Sequence, residues 1–329
     1  MNNKIKRALV VVTLVGGFLA LMITIALNRT VISDSLRGLF YHPSAEMESI
    51  RGELQLTGEG ERVFNASFPE LDEKNAFNQR CKSHDGNSYI LGCYVDGGIF
   101  VYNITDERFE GIRESTLAHE LLHAVYARMS DSEKISLSVL LEEVYRAHGK
   151  TLGDELAVYD GSKRYDELYA RIGTEIKDLP EELEKHYAKV FKNQDNIVSF
   201  YDKYGTPLRE VRETFERLEG ELASLKAQIE TKRTEYETKV AVHNQEVGEF
   251  NNCADRVGCF ASDYALNTRR AELLKRQNEL NELHAEISEL VDTHNAKVDE
   301  YNDNIAKNEA LTDVINSNAK IEKIEETGK

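Results

Sequence analysis

A heptad ladder fills the last third of the chain and leaves few folds open to it. Leu208, Phe215, Leu222, Ile229, Tyr236, His243 and Phe250 recur every seven residues, with Val211, Leu218 and Leu225 at the alternate seam positions. After a break, Leu266, Leu273, Leu280, Ile287, His294 and Tyr301 repeat the pattern. A sustained seven-residue apolar repeat belongs to helices that bury one narrow seam against each other. The two ladders mirror each other about Gly258, so folding there sets Phe250 near Leu266 and Phe215 near Tyr301. Residues 206–329 are therefore expected to form an antiparallel coiled-coil hairpin with arms of about 65 Å. The His243-Asn244 and His294-Asn295 steps read as polar positions that set register rather than as metal ligands.

The opposite end carries a second strong constraint. Lys4, Lys6 and Arg7 precede an uncharged apolar run from Ala8 to Leu27, long enough as a helix to span the ~30 Å bilayer core. A cleaved signal peptide has a shorter core and a small-residue exit site, whereas this run continues to Asn28-Arg29. The expected arrangement is a basic cytoplasmic tail (1–7), a signal anchor (8–27) and a stalk (28–45), followed by an extracytoplasmic body. Four cysteines in two close pairs, Cys81 with Cys93 and Cys253 with Cys259, suit disulfides in an oxidising compartment, and neither spacing is that of a CxxC metal site.

Formal net charge is −17, which argues against nucleic acid as a partner and against adhesion to anionic lipid, since both require basic surface. No Gly-rich phosphate loop and no GxSxG element occurs, so nucleotide and serine-hydrolase chemistry lack support. Residues 46–205 are mixed in pattern and long enough for one core. Tyr89–Val95 and Ile99–Ile104 read as strands joined at Asp96-Gly97-Gly98. Ser130 and Glu133 form a capping box that starts a helix with Ile135, Val139, Leu140 and Val144 as its apolar face.

Within that segment stands His119-Glu120-Leu121-Leu122-His123. On a helix, two imidazoles four residues apart project from one face, with the Glu on the adjacent turn. Zinc held by both imidazoles lowers the pKa of a coordinated water toward ~7, and the Glu is placed to take that water's proton. Leu117, Ala118, Leu121, Leu122, Ala124 and Val125 surround the polar triplet with helix formers.

This pattern resembles the zincin metallopeptidases over residues 114–175. The metzincin branch continues to a Gly and a third His, where this chain has Tyr126 and Met129. The gluzincin branch takes its third ligand from a Glu-x-x-Ala segment on a downstream helix, and Asp166-Glu167-Leu168-Tyr169-Ala170 is similar to it. The resemblance implies His119, His123 and Glu167 as zinc ligands, with Glu175 in reserve, and Glu120 as general base. It also implies that Ile99–Ile104 borders the cleft as an edge strand. Tyr165, Tyr169 and His186 are the oxyanion donors the sequence offers, without a choice among them.

The expected fold is α+β: a transmembrane helix, a zincin-like domain (46–205) with a small antiparallel sheet, and the helical hairpin (206–329). The expected function is a membrane-anchored extracytoplasmic zinc metallopeptidase acting on protein or peptide substrates. The alternative is a non-enzymatic surface protein whose coiled coil does the work on an inactive zincin-like scaffold, against which the intact Glu120 counts.

Overall fold

The computed structural model describes residues 16–316 apart from 21, 82–89, 153–155 and 157–160. The basic tail, the first part of the apolar run, Tyr89 and Asp160 lie outside the described residues. The chain is 79% helical and divides into two compact units, Met1–Pro207 with Thr312–Lys329, and Leu208–Leu311.

In the first unit the order runs α1 (Gly16–Leu27), α2 (Arg29–Gly38), α3 (Ala45–Leu54), α4 (Gly58–Ala66), β1 (Glu70–Asp72), α5 (Lys74–Arg80), β2 (Gly92–Val95), β3 (Gly98–Tyr102), α6 (Ile112–Arg128), α7 (Asp131–Leu152), α8 (Gly161–Glu175) and α9 (Glu181–Tyr187). Among the described residues no single helix is long and apolar enough to cross a membrane. The segment expected to be a stalk contains a helix, α2, which packs on α4 and buries Asp34 against Arg128 of α6.

The sheet is mixed rather than antiparallel. β2 and β3 form the expected hairpin, with Val95 paired to Gly98, and Asp96 and Gly97 both take the positive φ that a two-residue primed turn requires. β1 adds in parallel to the other side of β3, giving the order β1-β3-β2. Three residues, Glu-Leu-Asp, are too short to show an alternating pattern, so β1 was invisible in the sequence. Its arrival also makes β3 the central strand. Ile99 and Val101 of β3 are fully buried, and β2, not Ile99–Ile104, is the edge that meets α6.

Helix α6 is the hub of the core, touching α8, both strands of the hairpin, α3 and α4. Leu117, Ala118, Leu121, Leu122 and Ala124 have no exposed surface, which fits a helix surrounded by other elements. The capping box forms, with Ser130 N donating to Glu133 Oε2 at 2.9 Å. The buried face of α7 differs from the expected one, since Leu137, Leu141 and Val144 turn inward while Ile135 and Val139 are each 70% exposed. Both sets obey helical spacing, and packing on α8 selects between them.

The second unit consists of α10 (Gln194–Ala254) from Leu208 onward and α11 (Asp263–Ile315) up to Leu311. Its seam residues are buried or half-buried, with Leu218, Leu273 and Leu280 the deepest. The Phe215 and Tyr301 rings lie 5.1 Å apart, and Tyr236 meets His284 at 5.6 Å. Arg217–Glu300 and Lys297–Glu221 ion pairs flank them. Partner numbers fall on one arm as they rise on the other, as antiparallel arms require. Cys253 and Cys259 are bridged at the tip, and Cys81 and Cys93 are bridged between α5 and β2.

Candidate metal centre

His119 and His123 project from α6 on the side that α8 approaches. That approach depends on Gly173, because a Cβ there would lie 2.5 Å from both Leu122 Cδ1 and Tyr187 Cε1. With Leu168 and Ile172 buried on the facing side, Glu167 is carried to the two imidazoles. His119 Nε2 and His123 Nε2 stand 3.1 Å apart. Glu167 Oε1 is 3.7 Å from the first, and Oε2 is 3.5 Å from the second.

Donor atoms around a four-coordinate ion with bonds of about 2.0–2.1 Å are roughly 3.3–3.4 Å apart, and the three observed gaps bracket that spacing. His123 Nδ1 faces Asp166 Oδ1 at 2.8 Å, an acceptor that in the neutral ring keeps the proton on Nδ1 and leaves Nε2 to serve as a metal ligand. The set His119, His123 and Glu167 could therefore hold a metal ion, and among the described residues no other His, Cys, Asp or Glu group does so. Two imidazoles and a carboxylate suit zinc, and also other divalent transition ions.

Burial pulls His119 down to about 4, with the Glu167 carboxylate working against that fall. Burial also opposes protonation of His123, but its bonds to Asp166 and Glu167 outweigh it and hold this imidazole well above its usual range. Glu167, although buried, is kept down at about 2 by the bond from His123 and the charge of His119. The metal-free cluster therefore holds a proton on His123 that a dication would displace.

Glu120 is 6% exposed, and burial pushes its carboxyl up to about 7. It reaches toward β2, where the backbone N–H of Tyr94 donates to it. Gly92 makes the space, since a Cβ at that position would come within 2.8 Å of Glu120 Oε1. The edge strand thus supports the carboxylate from one side while His119 and His123 lie beside it on the same helix.

Glu175, the reserve ligand, is about two helical turns further on and outside the cluster. Its carboxylate forms a two-pronged pair with Arg171, at 2.8 and 3.0 Å. The three aromatic donors separate as well. Tyr169 is fully buried against Tyr187, and its hydroxyl has no hydrogen-bond partner among the described residues; His186 stands edge-on to the Tyr169 ring; Tyr165 is half-buried beside Asp166. Asp166, Gly92 and Gly173 were not singled out from sequence. For Asp166 a signal existed: an imidazole ligand needs an acceptor on its second nitrogen, and Asp166 adjoins Glu167.

No family model matches the chain, and neither a curated protein nor a solved structure matches it.

Proposed function

We propose that this chain is a membrane-anchored zinc metallopeptidase working outside the cytoplasm. The observation that carries the reading is the convergence of His119, His123 and Glu167 within 4.8 Å of one another, beside a buried carboxylate, Glu120, held by the edge strand β2. A structural His pair on a helix does not require a third ligand from another helix, an aspartate oriented onto the outer nitrogen and a base held in reserve. Zinc, when bound, supplies Lewis acidity to a peptide carbonyl and to water.

The residues of the chain do the rest. Glu120 takes a proton from the attacking water and delivers it to the departing amine, a role suited to a carboxyl whose environment places it near neutrality. Asp166 fixes the His123 ring and its tautomer. The outer edge of β2, apart from the Tyr94 N–H that Glu120 already takes, offers main-chain groups to an extended peptide, which would pair as an added strand. The apolar run before Arg29 supports anchoring, and the two disulfides suit an oxidising compartment.

The test is metal analysis of the purified full-length chain together with hydrolysis of an unfolded protein substrate. One equivalent of zinc, lost in His123→Ala, is expected to accompany cleavage. A folded wild-type protein that binds no divalent metal from micromolar solution would overturn the reading.

A further inference from the structure

Helix α2 is inside out for a helix bathed by water. Its inward side carries Asp34, 5% exposed and paired with Arg128 at 2.9 Å, and Gly38, where a Cβ would lie 3.1 Å from the Asn65 side chain. Those two positions share one side of the helical wheel. The opposite side presents Ile32, Leu36 and, just past the last turn, Leu39 and Phe40. Their exposures are 39%, 56%, 72% and 75%. A surface helix in water shows the reverse arrangement, with charge outward and aliphatic side chains inward.

Two further observations say what covers this stripe. The first is continuity: α2 directly follows the apolar run from Ala8, and the described part of that run, α1, leaves Phe18, Ile23 and Leu27 in the open. The second is direction, since α1 and α2 meet at 69°. If α1 follows the bilayer normal, α2 lies roughly 20° from the membrane plane, the attitude of an interfacial helix with its apolar stripe facing the acyl chains. Arg29 sits at the junction, where a guanidinium can reach the headgroups.

We infer that α2 is an interfacial helix whose Ile32, Leu36, Leu39 and Phe40 are buried in the adjoining leaflet of a phospholipid bilayer, and that this seats the metal centre at the membrane surface. The link is short and rigid. Asp34 grips Arg128 at the end of α6, and His123 and His119 lie five and nine residues back along the same helix, about 7.5 and 13.5 Å of rise. The peptide that reaches the centre is then an extended segment of a membrane-attached protein, within about ten residues of the bilayer at ~3.3 Å per residue. This last step rests on the peptidase reading, whereas the seating of α2 does not.

The full-length chain is labelled with an environment-sensitive fluorophore at Leu36→Cys or Leu39→Cys, the native cysteines being bridged, and reconstituted into phosphatidylcholine vesicles with a shallow nitroxide lipid. Both labels are expected to be quenched by the lipid and shielded from aqueous iodide, unlike a label at Glu110→Cys beyond the other end of α6. Labels at 36 and 39 that stay open to iodide overturn the inference, and so does a 36-to-36 cross-link between two chains. In the same vesicles, Leu36→Glu with Leu39→Glu is expected to keep its metal and its cleavage of a soluble peptide. It should lose roughly tenfold or more on the same peptide tethered by a short acyl linker, because the anchored chain no longer holds its centre within reach of a segment that close to the bilayer. Equal loss on both peptides, or none on either, overturns the substrate class. A wild type that cleaves neither peptide sinks the peptidase reading, and the quenching result still decides the seating of α2.

Discussion

Glu120 and Glu167 are the same side chain given opposite work by their surroundings. Burial, with the Glu167 and Asp166 carboxylates adding to it, outweighs the pull of His123 and lifts Glu120 to about 7, whereas two imidazoles hold Glu167 at about 2 despite its burial. Glu120→Gln keeps the volume and the Tyr94 contact, so metal content should remain at one equivalent while turnover falls by a factor of ~10²–10⁴. Asp166→Ala should weaken metal binding by ~10–100-fold without abolishing it, because it acts through His123. Glu167→Ala should abolish stoichiometric metal. Loss of metal in Glu120→Gln, measured by atomic emission, would contradict these roles. Proton linkage supplies a second check. His123 in the metal-free chain is held protonated above its ordinary range, so metal must displace that proton. Apparent affinity should therefore fall as pH drops and recover as pH rises, read by chelator competition at several pH values. At this scale the sequence was legible where chemistry dictates spacing, as in His119-Glu120-x-x-His123. It was silent at Gly92 and Gly173, because what a glycine leaves room for is known only once its neighbours are placed.

At the scale of elements, the site is held by two junctions. The first is α8 on α6 across Gly173. Gly173→Ala should cost about 1–3 kcal/mol through overpacking against Leu122 and Tyr187, and it should lower metal affinity by moving Glu167 outward. A thermal melt and a metal titration on one sample read both effects, and a melt unchanged from wild type would show that the helices are not packed as described. The second is α2 on α6 through Asp34 and Arg128. Removing one partner strands the other as a charge with little access to water, so Asp34→Ala should destabilise by about 3–5 kcal/mol. Denaturant unfolding monitored by circular dichroism is the check. Helices α6, α7 and α8 were readable from caps and periodicity, since the Ser130–Glu133 box falls as expected, whereas α2 to α5 were not singled out. The face of α7 was not, because Ile135–Val139 and Leu137–Leu141 fit the same period and only α8 distinguishes them. β1 was unreadable for lack of length, and with it went the identity of the edge strand.

At the scale of the molecule, two units obey different rules. The heptad unit was legible almost residue by residue, because a repeating seam admits one solution: Phe215 meets Tyr301 as the mirror about Gly258 requires. The unit carrying the candidate metal centre depends on contacts distant in sequence, and its order of strands and depth of packing emerge only from the assembled core. Short-linker coupling of Phe215→Cys with Tyr301→Cys in the full-length chain should give a link within one molecule, seen as an unchanged mass under denaturing conditions. A doubled mass would mean that the arms pair between chains. The proposed function turns on whether the centre is a working one. The most direct measurement is hydrolysis of an unfolded protein by the zinc-loaded full-length chain beside Glu120→Gln at equal metal content. The predicted result is peptide-bond cleavage by the first and its loss by a factor of ~10²–10⁴ in the second. Equal rates from the two proteins would contradict it.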